Sequence, residues 1–155
     1  FLKKHQQENG SWIPLWFGNE NHPVHHNPVY GTARVCAYLT EAVKLLKWNE
    51  SLILQLEKMI EKAQQHLASV QNSDGSWGGD INIEGTIEET SLAVTALKGS
   101  SYKVNIEKGL VWLDQQYCIK GLNASPIGLY FASLWYHEKL YPLTMYLEAL
   151  GSENQ

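Results

Sequence analysis

Apolar residues recur at steps of three and four along most of the chain. Leu52, Ile53, Leu56, Met59, Ile60, Ala63, Leu67 and Val70 fall on one face of a helix of about twenty residues. Ala33, Val35, Cys36, Leu39, Val43 and Leu46 predict a second helix over 31–47. Thr86-Ile87-Glu88-Glu89 reads as a capping box, with the Thr86 hydroxyl accepting from an orphan N–H while Glu89 reaches back. It opens a short helix over 87–98 that Gly99 would end. Asn105 is placed to cap the next helix, through Tyr117. Ser125-Pro126 reads as an N-cap followed by a proline at the first helical position. Pro142 starts a last helix that Gly151 closes. No stretch sustains a period of two, so strands are minor at best. The pattern predicts an all-α fold with helices in antiparallel succession, one domain over 1–155. Two long connections, 8–29 and 72–85, carry most of the prolines and glycines. Loops of that length in a helical domain are more often functional than idle.

An internal repeat organises these loops. Leu2-x-x-x-Gln6-x-x-x-Gly10-Ser11-Trp12 recurs as Leu67-x-x-x-Gln71-x-x-x-Gly75-Ser76-Trp77, and a worn third copy runs from Gly109 to Gln116. Such a period signals tandem helical units. The glutamine amide is suited to satisfy backbone groups left open at a neighbouring helix end. The glycine supplies a positive-φ turn, and the tryptophan is suited to cover the amide. Gln6, Gly10, Trp12, Gln71, Gly75 and Trp77 are therefore expected to brace the frame and to do no chemistry.

Composition narrows the function. The 155 residues suit one domain with a real core, and 44% apolar against 18% charged residues excludes a disordered chain. With 12 basic and 16 acidic side chains the net charge is −4, and Arg34 is the only arginine. No phosphate-gripping nucleic-acid binder is expected from that balance. Charge interrupts every long apolar run, so no membrane-spanning helix is expected. Cys36 and Cys118 are too few for a disulfide framework and fit a reducing compartment. Six Trp and eight Tyr against three Phe is a heavy load of amphipathic rings. Phe1-Leu2-Lys3-Lys4-His5-Gln6 reads like the last turns of a helix already under way, so a piece of a longer protein is expected. Localisation is not legible from such a start.

The repeated Gln-x-x-x-Gly-Ser-Trp resembles the QW motif of the triterpene cyclases, above all the squalene–hopene cyclases. The segment Gly10-Ser11-Trp12-Ile13-Pro14-Leu15-Trp16-Phe17-Gly18, followed by Asn27-Pro28-Val29-Tyr30-Gly31-Thr32, is similar to a stretch of that family reading Gly-Ser-Trp, three residues, Trp, and later Asn-x-x-Tyr-Gly-Thr. Pro126-Ile127-Gly128-Leu129-Tyr130-Phe131 through Trp135-Tyr136 to Tyr141-Pro142 is similar to the family's aromatic C-terminal stretch. The resemblance covers nearly the whole chain, in family order.

It implies an α/α-toroid (barrel) type of fold, here a partial helical array, as the C-terminal part of a cyclase-like protein. Such enzymes protonate a linear isoprenoid such as squalene and guide the carbocation through ring closures inside an apolar cavity. Aromatic faces stabilise a passing cation without capturing it, and water must be kept out. By resemblance Trp16, Tyr30, Tyr130, Phe131 and Tyr136 are the candidate cavity residues. For each, core packing is the competing role. The family's acid lies in an Asp-x-Asp-Asp motif upstream of this region, whereas this chain holds only Asp74, Asp80 and Asp114. No catalytic residue is therefore expected here, and the chain alone is expected to be inactive while its parent cyclises. Its partners would be the isoprenoid and the missing N-terminal part. Apolar surface left bare where that part docks would let the piece pair with a second copy. Relatives are monotopic membrane enzymes, although no amphipathic anchor with a basic face stands out here.

Other chemistries find little support. His22, His25 and His26 lie without a carboxylate at a fitting interval, so a solvated loop is expected and no metal or other cofactor. Glu84, Glu88 and Glu89 read as helix-terminus acids. A protein-prenyltransferase-like barrel needs Asp, Cys and His on zinc, and neither cysteine has an obvious pair of partners. The remaining alternative is a non-catalytic helical-repeat module binding a protein or lipid. An upstream Asp-rich motif in the full reading frame would separate the two classes.

Overall fold

The computed structural model describes residues 1–45, 47, 49–121, 124–129 and 134–151, with the backbone alone at 120, 125–127, 129 and 136. Its element order is α1 (Leu2–His5), β1 (Phe17–Gly18), α2 (Pro28–Leu45), α3 (Glu50–Ser69), α4 (Ile87–Leu97), α5 (Lys103–Lys120), β2 (Ser125–Leu129), β3 (Leu134–Glu138) and α6 (Leu140–Leu150). The fold is all-α. No described helix is long and apolar enough to cross a membrane.

α4 is the hub, packed against α2, α5 and α6, while α3 lies along α2. Ten of its 11 residues are buried, which requires an element without a polar face. Small side chains at Thr90, Ser91, Ala93 and Ala96 allow that approach; the Cys36 thiol of α2 reaches the Ala96 carbonyl at 3.7 Å. Leu67, Trp77, Val94, Leu97 and Leu113 complete the centre of the core. Thr86 caps the helix, with Glu89 N–H donating to Thr86 Oγ1 and the Thr86 hydroxyl donating to Glu89 Oε2, but the box is half-formed, because the Thr86 N–H donates to the Trp77 carbonyl instead of to Glu89. α4 ends at Leu97, and Gly99, two residues on, takes a φ of 75° that suits glycine.

Several boundaries differ from the pattern reading. α2 begins at Pro28, because Asn27 Oδ1 accepts from Tyr30 N–H at 2.9 Å and caps it. α5 starts at Lys103, and Asn105 is inside it rather than at its cap. The Asn105 amide donates to Gln71 Oε1 at 2.7 Å instead. α6 begins two residues before Pro142.

The largest correction concerns Ser125-Pro126, which opens no helix. Residues 125–129 form β2, the middle strand of a sheet ordered β1-β2-β3, antiparallel to both neighbours. β1 pairs only with Gly128 and Leu129, so the other edge of Pro126 is open and its missing N–H breaks no ladder there. Gly128 faces Trp135 in register. A Cβ at Gly128 would fall 1.8 Å from the Trp135 ring, so glycine is what lets that ring lie on the strand.

Candidate functional site

The two long loops share one scheme of hydrogen bonds. The Gln6 amide donates to the Gly10 and Met59 carbonyls at 3.0 and 2.9 Å; the Gln71 amide donates to the Gly75 and Asn105 carbonyls, both at 2.9 Å. Asn9 and Asp74 each accept from the N–H and hydroxyl of the serine two residues on. Trp12 N–H donates to Thr32 Oγ1, and Trp77 N–H to Thr90 Oγ1. The two indoles donate to Leu2 O at 2.9 Å and Leu67 O at 2.7 Å. Met59 lies mid-helix rather than at a helix end, which a carbonyl's second lone pair permits. Gly10 and Gly75 take φ of 91° and 94°, and each presses on a helix backbone, at Lys62 and Lys108.

This closeness gives a direct expectation. A Cβ on Gly75 would stand 2.7 Å from the Lys108 carbonyl oxygen, and the backbone cannot take that φ with a side chain at no cost. Gly75→Ala should lose roughly 2–4 kcal/mol, measured by urea unfolding.

The first loop meets α4 at Glu89. Its Oε1 accepts from the amides of Asn19 at 2.9 Å and Asn27 at 3.0 Å. One fully buried carboxylate thus ties the loop before α2 to the start of α4. Glu88 beside it is buried as well, at 4% exposure. Burial and the neighbouring Glu89 push its carboxyl up to about 8, while Arg34 opposes the rise. Nothing in the sequence pattern signals Asn19 or the burial of Glu88, and the pattern reads these acids as ordinary helix-terminus residues. The legible hint was Asn27-Pro28, a cap residue before a first-turn proline.

Above this hub is an open aromatic surface. Trp16 is 58% exposed and Phe17 38%. The Phe17 ring sits 5.0 Å from that of half-buried Tyr30, and the Arg34 guanidinium lies 5.8 Å over Tyr30. Burial raises the Tyr30 hydroxyl above its ordinary value, against the pull of Arg34. β1 begins immediately after Trp16, and Phe17 pairs with Leu129, the residue before Tyr130. Tyr136 lies on β3, paired with Ile127; only its backbone is described. Tyr130 and Phe131 lie outside the described residues. Clefts of about 570, 530 and 680 Å³ have other linings, and neither Trp16 nor Tyr30 belongs to any of the three.

The histidines of the first long loop are tied down rather than freely solvated. His22 Nε2 stands 3.5 Å from Asp80, and its ring stacks with His26. His25 meets Trp135 edge-on at 5.2 Å. Among the described residues no group of three or more His, Cys, Asp and Glu is arranged to hold a metal. Burial pushes the Cys36 thiol up to about 12, which suits packing rather than thiolate chemistry.

No protein-family model matches the chain. It is 31% identical over 146 residues to a squalene–hopene cyclase of Bradyrhizobium diazoefficiens, covering 78% of this chain and 19% of that protein. It is 27% identical over 136 residues to a squalene–hopene cyclase of Zymomonas mobilis, covering 79% of this chain and 18% of that one. The chain therefore spans less than a fifth of the length of these curated relatives. These likenesses support a distant relationship to the triterpene cyclases.

Proposed function

We propose, from that distant relationship, that the chain is the C-terminal part of a squalene–hopene-cyclase-like protein. Its task is to supply part of the aromatic wall of an isoprenoid cavity, built on a toroid-type helical frame. The carrying observation is the pairing of β1 with β2 beside Tyr30. It joins the strand that follows Trp16 to the strand that precedes Tyr130 and Phe131, two segments far apart in sequence. Ring faces gathered there would hold a carbocation by their quadrupoles while offering no nucleophile to quench it. Water exclusion is the other requirement, and the exposure of Trp16 leaves that to the rest of the parent.

The initiating acid is assigned to the parent as well. Asp74 is engaged by Ser76 and by the Trp112 indole, which with other hydrogen bonds hold it below its ordinary value against the opposing effect of burial. Asp80 faces His22. A carboxyl that protonates an alkene must be a strong acid held protonated, and neither environment provides that.

The test is a titration of the chain with detergent-dispersed squalene, followed by tryptophan emission, with product analysis alongside. Binding should weaken about tenfold in Trp16→Ala, the loss of one aromatic contact of roughly 1.4 kcal/mol. No cyclic product should form. Unchanged affinity in Trp16→Ala would reject the wall, and a hopene-like product would return the acid to this chain.

A further inference from the structure

The cleft of about 530 Å³ lies where the two long loops meet the last turns of α3. Glu8, Ser11, His22 and His26 of the first loop line it, together with His66 of α3 and Asp80 of the second loop. His66 is only 5% exposed, and its Nε2 is buried without a hydrogen-bond partner among the described residues. Burial lowers that imidazole below its ordinary value, against the pull of Asp80, so the ring is neutral at pH 7 and above. A buried polar nitrogen left unpaired is costly, and a fold keeps one most readily where a bound group completes it.

The hydrogen bonds of the loops set the charge of the cleft. His22 Nδ1 accepts from the Val24 and His26 N–H groups at 3.3 and 3.2 Å. Its proton therefore sits on Nε2 and faces Asp80 Oδ2, 3.5 Å away. A ring of that tautomer donates to the carboxylate without cancelling its charge, and it has no Nε2 lone pair to give a metal ion. Lys3, Lys58 and Lys62 line the neighbouring cleft that Glu8 also borders, yet none stands within ion-pair distance of Glu8 or Asp80. Among the described residues the cleft thus holds two uncompensated carboxylates, one from each loop, beside a neutral imidazole able to accept a hydrogen bond.

We propose that this cleft binds a small organic amine in its ammonium form, with Asp80 and Glu8 as counter-charges and His66 accepting one of its N–H groups. An ammonium is the match because it carries positive charge and several donors on one atom. A metal ion would need the lone pair that His22 lacks, and an anion would face two carboxylates. A short diamine sets two ammonium groups against two carboxylates, and is the ligand class the charges favour. The stacked His22 and His26 rings and the Ile13 side chain give its methylenes cover. The cleft does not include Trp16 or Tyr30, so the inference stands apart from the reading of those rings as an isoprenoid wall.

The probes are 1,4-diaminobutane, the uncharged 1,4-butanediol, and tetramethylammonium, which carries charge but no N–H donor. Each is titrated into the purified chain at about pH 7.5, where an alkylamine is protonated, and followed by NMR on the imidazole resonances. Diaminobutane should shift the His66 and His22 signals to saturation, and the diol should leave them unmoved. Tetramethylammonium should bind about tenfold more weakly than the diamine. Asp80→Asn removes a charge while keeping an acceptor for His22, and Glu8→Gln changes only an exposed side chain; each should weaken the diamine about tenfold. His66→Phe keeps a ring in place, removes the acceptor and should weaken the diamine likewise. Binding of the diol as tight as that of the diamine, or unchanged diamine affinity in both Asp80→Asn and Glu8→Gln, overturns the counter-charges. Tetramethylammonium binding as tight as the diamine's, or unchanged diamine affinity in His66→Phe, overturns the role of His66. A diamine titration without saturable shifts ends the proposal.

Discussion

Trp77→Ala should lose about 3–5 kcal/mol of stability, the usual cost of emptying a buried tryptophan site. The side chain is completely buried between the second long loop and the core. Its loss carries a second cost, because the indole N–H donates to Leu67 O at 2.7 Å. That carbonyl belongs to the last turn of α3, where no further helical N–H follows to satisfy it. A domain of this size holds only about 5–15 kcal/mol in total, so the variant should unfold in far less urea. Trp77→Phe keeps most of the ring and loses the donor, and should fall in between. Trp16→Ala removes an indole that is 58% exposed and should stay within about 0.5 kcal/mol of the parent. The contrast separates bracing tryptophans from the wall tryptophan within one experiment. Unfolding midpoints for Trp77→Ala and Trp16→Ala that coincide would remove the distinction.

The helices were legible because their signals are local. The apolar face of α3, the capping box of α4 and Gly99 at its end are each read from residues within a few positions of one another. The β2–β3 hairpin was not, since Ser-Pro before an apolar run is a valid helix start wherever the residue environment allows one. What decides for a strand there is Trp135 packing on Gly128 from across the sheet, a relation between residues that no local pattern encodes. Asn105 shows the same limit. Its local pattern suits a cap, but Gln71, brought beside it by the second loop, takes its amide. The repeat itself was legible as a spacing. Its bonding to Met59 and Asn105 required the packing of whole helices. For the candidate site, the sequence offered the aromatic residues and their order. The burial of Glu88 could not be seen, because an acid in a first helical turn is ordinarily solvated, and α4 is instead enclosed by α2, α5 and α6.

That burial should make the chain less stable as pH rises from about 5 to about 8. An unfolded chain ionises Glu88 near 4.5, whereas the folded chain holds its proton to about 8. Below the lower value both states are protonated and Glu88 costs nothing through ionisation. Between the two values the folded state binds more protons, so each step up in pH favours unfolding, until the penalty levels off above about 8. The full effect should be on the order of 5 kcal/mol, large beside the total. Glu89 is pushed in the same direction by its burial, so the pair acts together. His66 works the other way at the acid end. Burial lowers its value, and the folded state resists its protonation, so stability is lost as pH falls below about 6.5. Unfolding free energy should therefore peak in mildly acidic solution and decline toward pH 8. Glu88→Gln keeps the shape of the side chain and removes its charge, so it should flatten the alkaline limb and be more stable than the parent at pH 8. The two proteins should converge near pH 5, where Glu88 of the parent is protonated in the folded state. An alkaline limb of equal slope in both would show that Glu88 is ionised and stabilised in the folded chain.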